Sequence, residues 1–139
     1  MRKAICGAVI ALTVASTSPL IAADDAVAKA QAGARAWLTL VDAGKRGQSW
    51  DEAATIFKAS IGRSQWEKAL ASVRSPLGPL RSRALKSATF TRSLPGVPDG
   101  EYVVIQFDSQ FENKAAAVET VTPMHESDGS WRVAGYYIR

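Results

Sequence analysis

The chain is poor in the residues that most often carry chemistry. Its 139 residues hold one cysteine, Cys6, and one histidine, His125. A zinc site draws three or four ligands from cysteine, histidine and carboxylate, so the sequence nominates no metal site. It also has no G-x-S-x-G, H-E-x-x-H, P-loop, dinucleotide fingerprint or calcium loop. No catalytic residue and no cofactor is therefore assigned. A strong excess of one charge is missing too. Seventeen basic residues against 13 acidic give a net charge of +4, too mild to argue for nucleic acid.

What is present begins with a three-part head. Met1-Arg2-Lys3 is basic, "AICGAVIALTVA" is an apolar run of 12 residues, and "STSPLIAA" supplies small residues. That run is shorter than a membrane-spanning helix requires, and the order is that of a secretory signal peptide. The expected cut follows Ala23, with Ala22 as the neighbouring alternative. Residues 24–139 then form a single domain, periplasmic or secreted, with no integral membrane segment. Cys6 lies inside the head, so this 116-residue domain has no disulfide and must be held by its apolar core. Loss of Arg2 and Lys3 takes 17 basic residues to 15 against 13 acidic, about +2. The charge is unevenly spread: residues 63–92 carry seven cations against Glu67, and residues 99–128 carry seven acids against Lys114.

Periodicity divides the domain into helices followed by strands. Val27, Ala30, Ala34, Trp37, Leu38 and Val41 recur at helical spacing. Ser49-Trp50-Asp51-Glu52 and Ser64-Gln65-Trp66-Glu67 read as capping boxes, opening a second helix (Trp50, Ala53, Ala54, Phe57, Ile61) and a third (Trp66, Ala69, Leu70, Val73). Pro76 forbids continuation. Thereafter the period is two. "ALKSATFTRSL", "EYVVIQFDSQF", "AAAVETVTPMHES" and "SWRVAGYYIR" are four strands joined by short turns, which predicts an antiparallel meander. The fold class is α+β, with three helices packed on a four-stranded sheet.

A two-residue turn at Asp128-Gly129 predicts the pairs His125–Arg132, Met124–Val133, Thr122–Gly135 and Thr120–Tyr137. Alternation then puts Val118, Met124, Trp131 and Val133 on the core face with Phe90, Val103, Ile105 and Phe107. His125 falls on the solvent side beside Arg132, with no acid partner. The four tryptophans read as core packing. Thr120, Thr122, Tyr137 and Arg139 share the core side and, with Arg92, would form a small polar pocket for an anionic or carbonyl-bearing ligand. Tyr102, Val104, Val121, Tyr136 and Ile138 share the outer side, an apolar patch expected to take a second copy or an envelope partner.

Four stretches, "AWLTLVDAGKRGQSWDEAATIFKASI", "QWEKALASVRSPLGPLRSR", "SLPGVPDGEYVVIQFDSQFENKAAAVETVTPM" and "WRVAGYYIR", together resemble the bacterial domain of unknown function family 4019. The resemblance spans roughly Ala30 to Arg139. It implies export and a cone-shaped fold of the nuclear-transport-factor-2-like type, with a curved sheet wrapped around a long helix. It transfers no catalytic residue. The resulting expectation is a non-enzymatic binding or interaction module. The alternative is a small acid–base enzyme of the isomerase or dehydratase kind, for which Asp42 is the acid to nominate.

Overall fold

The computed structural model describes residues 19–139, with side chains from Ala22 onward. The basic head, the apolar run and Cys6 lie outside the described residues. Four α-helices come first: α1 (Pro19–Asp42), α2 (Arg46–Asp51), α3 (Thr55–Ser60) and α4 (Arg63–Arg74). A 3₁₀ turn (Ser75–Leu77) leads into strands β1 (Leu80–Thr91), β2 (Tyr102–Phe111), β3 (Lys114–His125) and β4 (Trp131–Ile138). The strands form one antiparallel sheet in the order β1-β2-β3-β4. No described helix is long and apolar enough to cross a membrane.

The stripe on α1 is the core stripe. Ala30, Ala34, Trp37, Leu38 and Val41 are buried and pack with Val103, Ile105 and Phe107 of β2, Val121 of β3 and Val133 of β4. Phe57 and Trp66 meet edge to face with ring centroids 4.8 Å apart. Trp37 and Trp66 are buried, while Trp50 and Trp131 are half-buried against the same core. Small residues let α1 approach the sheet. A Cβ on Gly33 would fall 2.9 Å from the Trp131 carbonyl oxygen.

The helical region departs from expectation in four ways. The second predicted helix is two short ones, because Ala54 N–H donates to the Val133 carbonyl (2.8 Å) and is drawn onto β4. Glu126 then accepts from the Thr55 N–H (2.8 Å) at the start of α3. Ser49 is not a cap. It lies inside α2, fully buried, and its hydroxyl accepts from Trp66 Nε1 (2.9 Å), while its carbonyl accepts from Trp37 Nε1 (2.8 Å). At α4 the cap position is Gly62, whose N–H is met by Gln65 (3.4 Å), and Glu67 pairs with Arg63. The α4 stripe also rotates: Val73 is exposed and Arg74 is buried in its place.

In the second hairpin β3 and the end of β4 are inverted relative to their predicted faces, while Val133, Trp131 and Met124 still pack against the core as expected. The hairpin turn has three residues, Ser127 to Gly129, closed by Glu126 N–H to the Ser130 carbonyl (2.8 Å) and with Gly129 at φ 87°. That is the common three-residue hairpin with a left-handed glycine. One extra turn residue moves the register, so His125 faces Trp131 and Pro123 faces Val133. Odd-numbered residues of β3 therefore point inward, with Ala117, Glu119, Val121 and Pro123 buried. A bulge follows, with Ala134 as the extra residue, and the predicted pairs Thr122–Gly135 and Thr120–Tyr137 return. The bulge swaps the faces of β4 along its length, so Val133 and Tyr136 both contact the core.

Candidate functional site

Two clusters of polar side chains result from this packing. The first is interior. Glu119 stands opposite Phe107 on the helix-facing side of the sheet and has no solvent exposure. Arg83 on β1, two strands away, donates to Glu119 Oε1 through Nε (2.7 Å). Ser109 on the intervening β2 donates to the same oxygen (2.5 Å), and Tyr136 donates to Oε2. The remaining guanidinium nitrogens of Arg83 form a fork on Asp42 at the end of α1 (2.8 and 3.0 Å), and Arg74 reaches Asp42 from α4 (3.0 Å). Two cations thus meet two anions between sheet and helices.

The electrostatics follow from burial with compensation. Burial, the largest single effect, opposes the Arg83 charge, but the hydrogen bonds and charges of Asp42 and Glu119 together outweigh it and hold its pKa above the ordinary value. Burial pushes the Tyr136 hydroxyl pKa up, and the neighbouring Glu119 charge pushes it further; Arg74 acts weakly in the other direction. Both are consistent with a closed, charge-paired cluster. Arg74 Nε and Nη1 and Thr120 Oγ1 are buried without a protein partner.

The second cluster lies at one end of the sheet, beneath the first turns of α1. A cleft of about 220 Å³ opens there. Ala22, Ala23 and Ala26 leave room on the helical wall; Phe90 and Trp131 supply rings on the opposite wall. His125 stacks on Trp131 (centroids 5.0 Å) and its Nδ1 lies 2.9 Å from Glu101 Oε2. The histidine therefore has an acid partner, contrary to the sequence expectation, while remaining part-exposed as expected. The β3 backbone brings the two together: His125 N–H donates to the Glu101 carbonyl (2.9 Å). Arg92 lies over Phe90 (5.5 Å) and stands 3.8 Å from Glu101 Oε1, beyond hydrogen-bond reach. Asp25 and Lys29 pair on the rim (3.0 Å).

Of the residues predicted to line one pocket, four stay together but on the opposite face, and Arg92 is separated from them. Thr120, Thr122, Tyr137 and Arg139 belong to the outer face of the sheet, where Tyr137 is 54% exposed, and Arg92 stands apart in the cleft. The predicted interaction surface is likewise divided. Val104 faces outward and is half-buried; Tyr102 is covered and donates its hydroxyl to the Pro98 carbonyl (2.6 Å). Val121 is core, Tyr136 faces the helices, and Ile138 pairs with Glu119 on that same side. Parity explains the rest: one more residue in the turn exchanges the faces of β3, and the bulge at Ala134 exchanges those of β4 beyond it. Sequence reasoning missed Glu119, Arg83 and Arg74. Their signal was the charge asymmetry, because the basic stretch forms α4 and β1 and the acidic stretch forms β2 and β3. Among the described residues no group of three or more histidine, cysteine or carboxylate side chains could hold a metal ion.

The architecture defines the class: an α+β domain with helices followed by a four-stranded antiparallel meander. Within it, residues 33–136 match the family described as Protein of unknown function (DUF4019), and the chain belongs to that family. No curated protein matches the chain.

Proposed function

We propose that this is an exported, periplasmic or secreted domain that binds a ligand without transforming it, and that the cleft beneath α1 is where it does so. Contrast between the two clusters carries the reading. In the interior, both Glu119 oxygens are occupied by donors from Arg83, Ser109 and Tyr136, and Asp42 is taken by Arg83 and Arg74. A general base needs a free lone pair aimed at a substrate, so an acid–base enzyme working from this interior is disfavoured. In the cleft, charged groups stand open beside aromatic rings, the usual composition of a small-molecule site. Helices followed by a single antiparallel sheet also suit the cone-shaped, nuclear-transport-factor-2-like reading.

Export rests on the basic head, the apolar run and the absence of cysteine after Cys6. A cut after Ala23 would remove Ala22 and Ala23 from the helical wall and widen the cleft, leaving Asp25, Ala26 and Lys29. The test is an amide-resolved NMR screen of the exported chain against small polar fragments. Shifts should cluster on Phe90, Arg92, Glu101, His125 and Trp131. A screen whose hits all fall elsewhere, or that yields none, would defeat the reading.

A further inference from the structure

The carboxylates of the interior cluster are already taken by its own donors, and the outer sheet face shows nothing of what would cover it; the cleft has a more specific chemistry. Two oppositely charged groups face one another there at ion-pair distance but without a hydrogen bond. The Arg92 Nη2 to Glu101 Oε1 separation is 3.8 Å, and neither atom has a closer polar partner among the described residues. Glu101 cannot simply close on Arg92, because its other oxygen is held by His125 at 2.9 Å. The Arg92 guanidinium is propped on the Phe90 ring.

From this juxtaposition we infer that the cleft takes a small zwitterion with an apolar body, an amino acid in chemical terms. The inference rests on the ligand-binding reading above. The ligand carboxylate would take the guanidinium fork of Arg92, which matches a planar two-oxygen anion. Its ammonium would take Glu101 Oε1, and its side chain would lie along Phe90, Trp131 and Ala26. Lys29 and Asp25 on the rim repeat the same pair of charges, so the cleft has little net charge and disfavours a ligand carrying only one sign. Loosening the existing ion pairs costs little, because their side chains are largely exposed and such pairs contribute little. With Ala22 and Ala23 in place the cleft measures about 220 Å³, below the roughly 300–1,000 Å³ of sites for drug-sized ligands, and a cut after Ala23 enlarges it.

The experiment compares three probes sharing one ring: L-phenylalanine, phenylacetate (no ammonium) and phenethylamine (no carboxylate), titrated by NMR into the exported chain. L-phenylalanine should bind about fivefold more tightly than either single-charge probe, the upper scale of one exposed charge pair. Arg92→Gln should reduce it to the level of phenethylamine, and Glu101→Gln to that of phenylacetate. Both side chains are exposed enough for the fold to survive, which an unchanged urea midpoint verifies. Equal binding of a single-charge probe, or variants that leave L-phenylalanine unaffected, would overturn the inference. So would failure of all three probes to bind, and if other fragments still shifted the cleft residues, the ligand-binding reading would stand without it.

Discussion

Tyr136 donates its hydroxyl to Glu119, and the pair is possible only because β4 carries one more residue than strict alternation allows. Val133 already faces the core, so a regular strand would turn Tyr136 to the outer face. The bulge at Ala134 returns it to the inner one. There its ring meets Trp37 edge to face at 5.2 Å, and its hydroxyl satisfies a carboxylate that water does not reach.

Cutting Glu119 to alanine should therefore be severe. It leaves Arg83 and Tyr136 short of a partner in the interior, and breaking a buried pair from one side costs about 3–5 kcal/mol. Tyr136→Phe should cost less, about 1.5–3 kcal/mol for a hydrogen bond to a charged group. The Tyr136 hydroxyl pKa is raised above its ordinary 10.0 in the folded chain. Above that pH the unfolded chain has lost a proton that the folded chain keeps, so stability should fall as pH rises. Tyr102 is shifted in the same direction, by burial first and Asp99 second. Urea unfolding across the alkaline range should show a shallower loss in Tyr136→Phe than in the parent.

Trp66 and Phe107 are both buried, and each should cost about 3–5 kcal/mol when replaced by alanine. Val73, which shares the predicted stripe with Trp66, is 46% exposed. Val73→Ala should change stability by no more than about 0.5 kcal/mol. Chemical denaturation of the three variants checks the rotation of α4, and a large loss in Val73→Ala would contradict it.

Gly33→Ala should destabilise the fold although alanine is the better helix former. The propensity gain is about 1 kcal/mol. Against it stands a Cβ placed 2.9 Å from the Trp131 carbonyl oxygen, a backbone atom that cannot swing aside. Overpacking of this kind costs about 1–3 kcal/mol, so the net change should be a loss, visible as a lower thermal midpoint. A raised midpoint would mean that α1 does not press on β4 there.

His125→Ala should lower stability by less than about 1 kcal/mol. The ring is part-exposed, and its contacts are one surface ion pair with Glu101 and a stack on Trp131. Unfolding in urea at neutral pH measures the effect; a loss of several kcal/mol would show that this histidine holds the end of the sheet together.

Element types and chain order were legible because they depend on neighbours in sequence. The α1 stripe from Ala30 to Val41 and the alternation of Val103, Ile105 and Phe107 both read correctly, as did the meander, since short connections leave adjacent strands little choice but to pair. The cleft was not legible as a site: Arg92 was assigned to a pocket with Thr120, Thr122, Tyr137 and Arg139, His125 was placed near the surface, and Glu101 was not seen as the partner of either. Which face β3 presents depended on turn length and on the bulge at Ala134, two single-residue choices that conserve the hydrophobic pattern while reversing its direction. Glu119 could be buried only because Arg83 reaches it across β2, and Arg74 displaced Val73 only because Asp42 waits at the end of α1. Those decisions belong to the tertiary structure, for a physical reason: a charge enters an apolar interior only where a distant segment brings its counter-charge, and no local periodicity records that arrival.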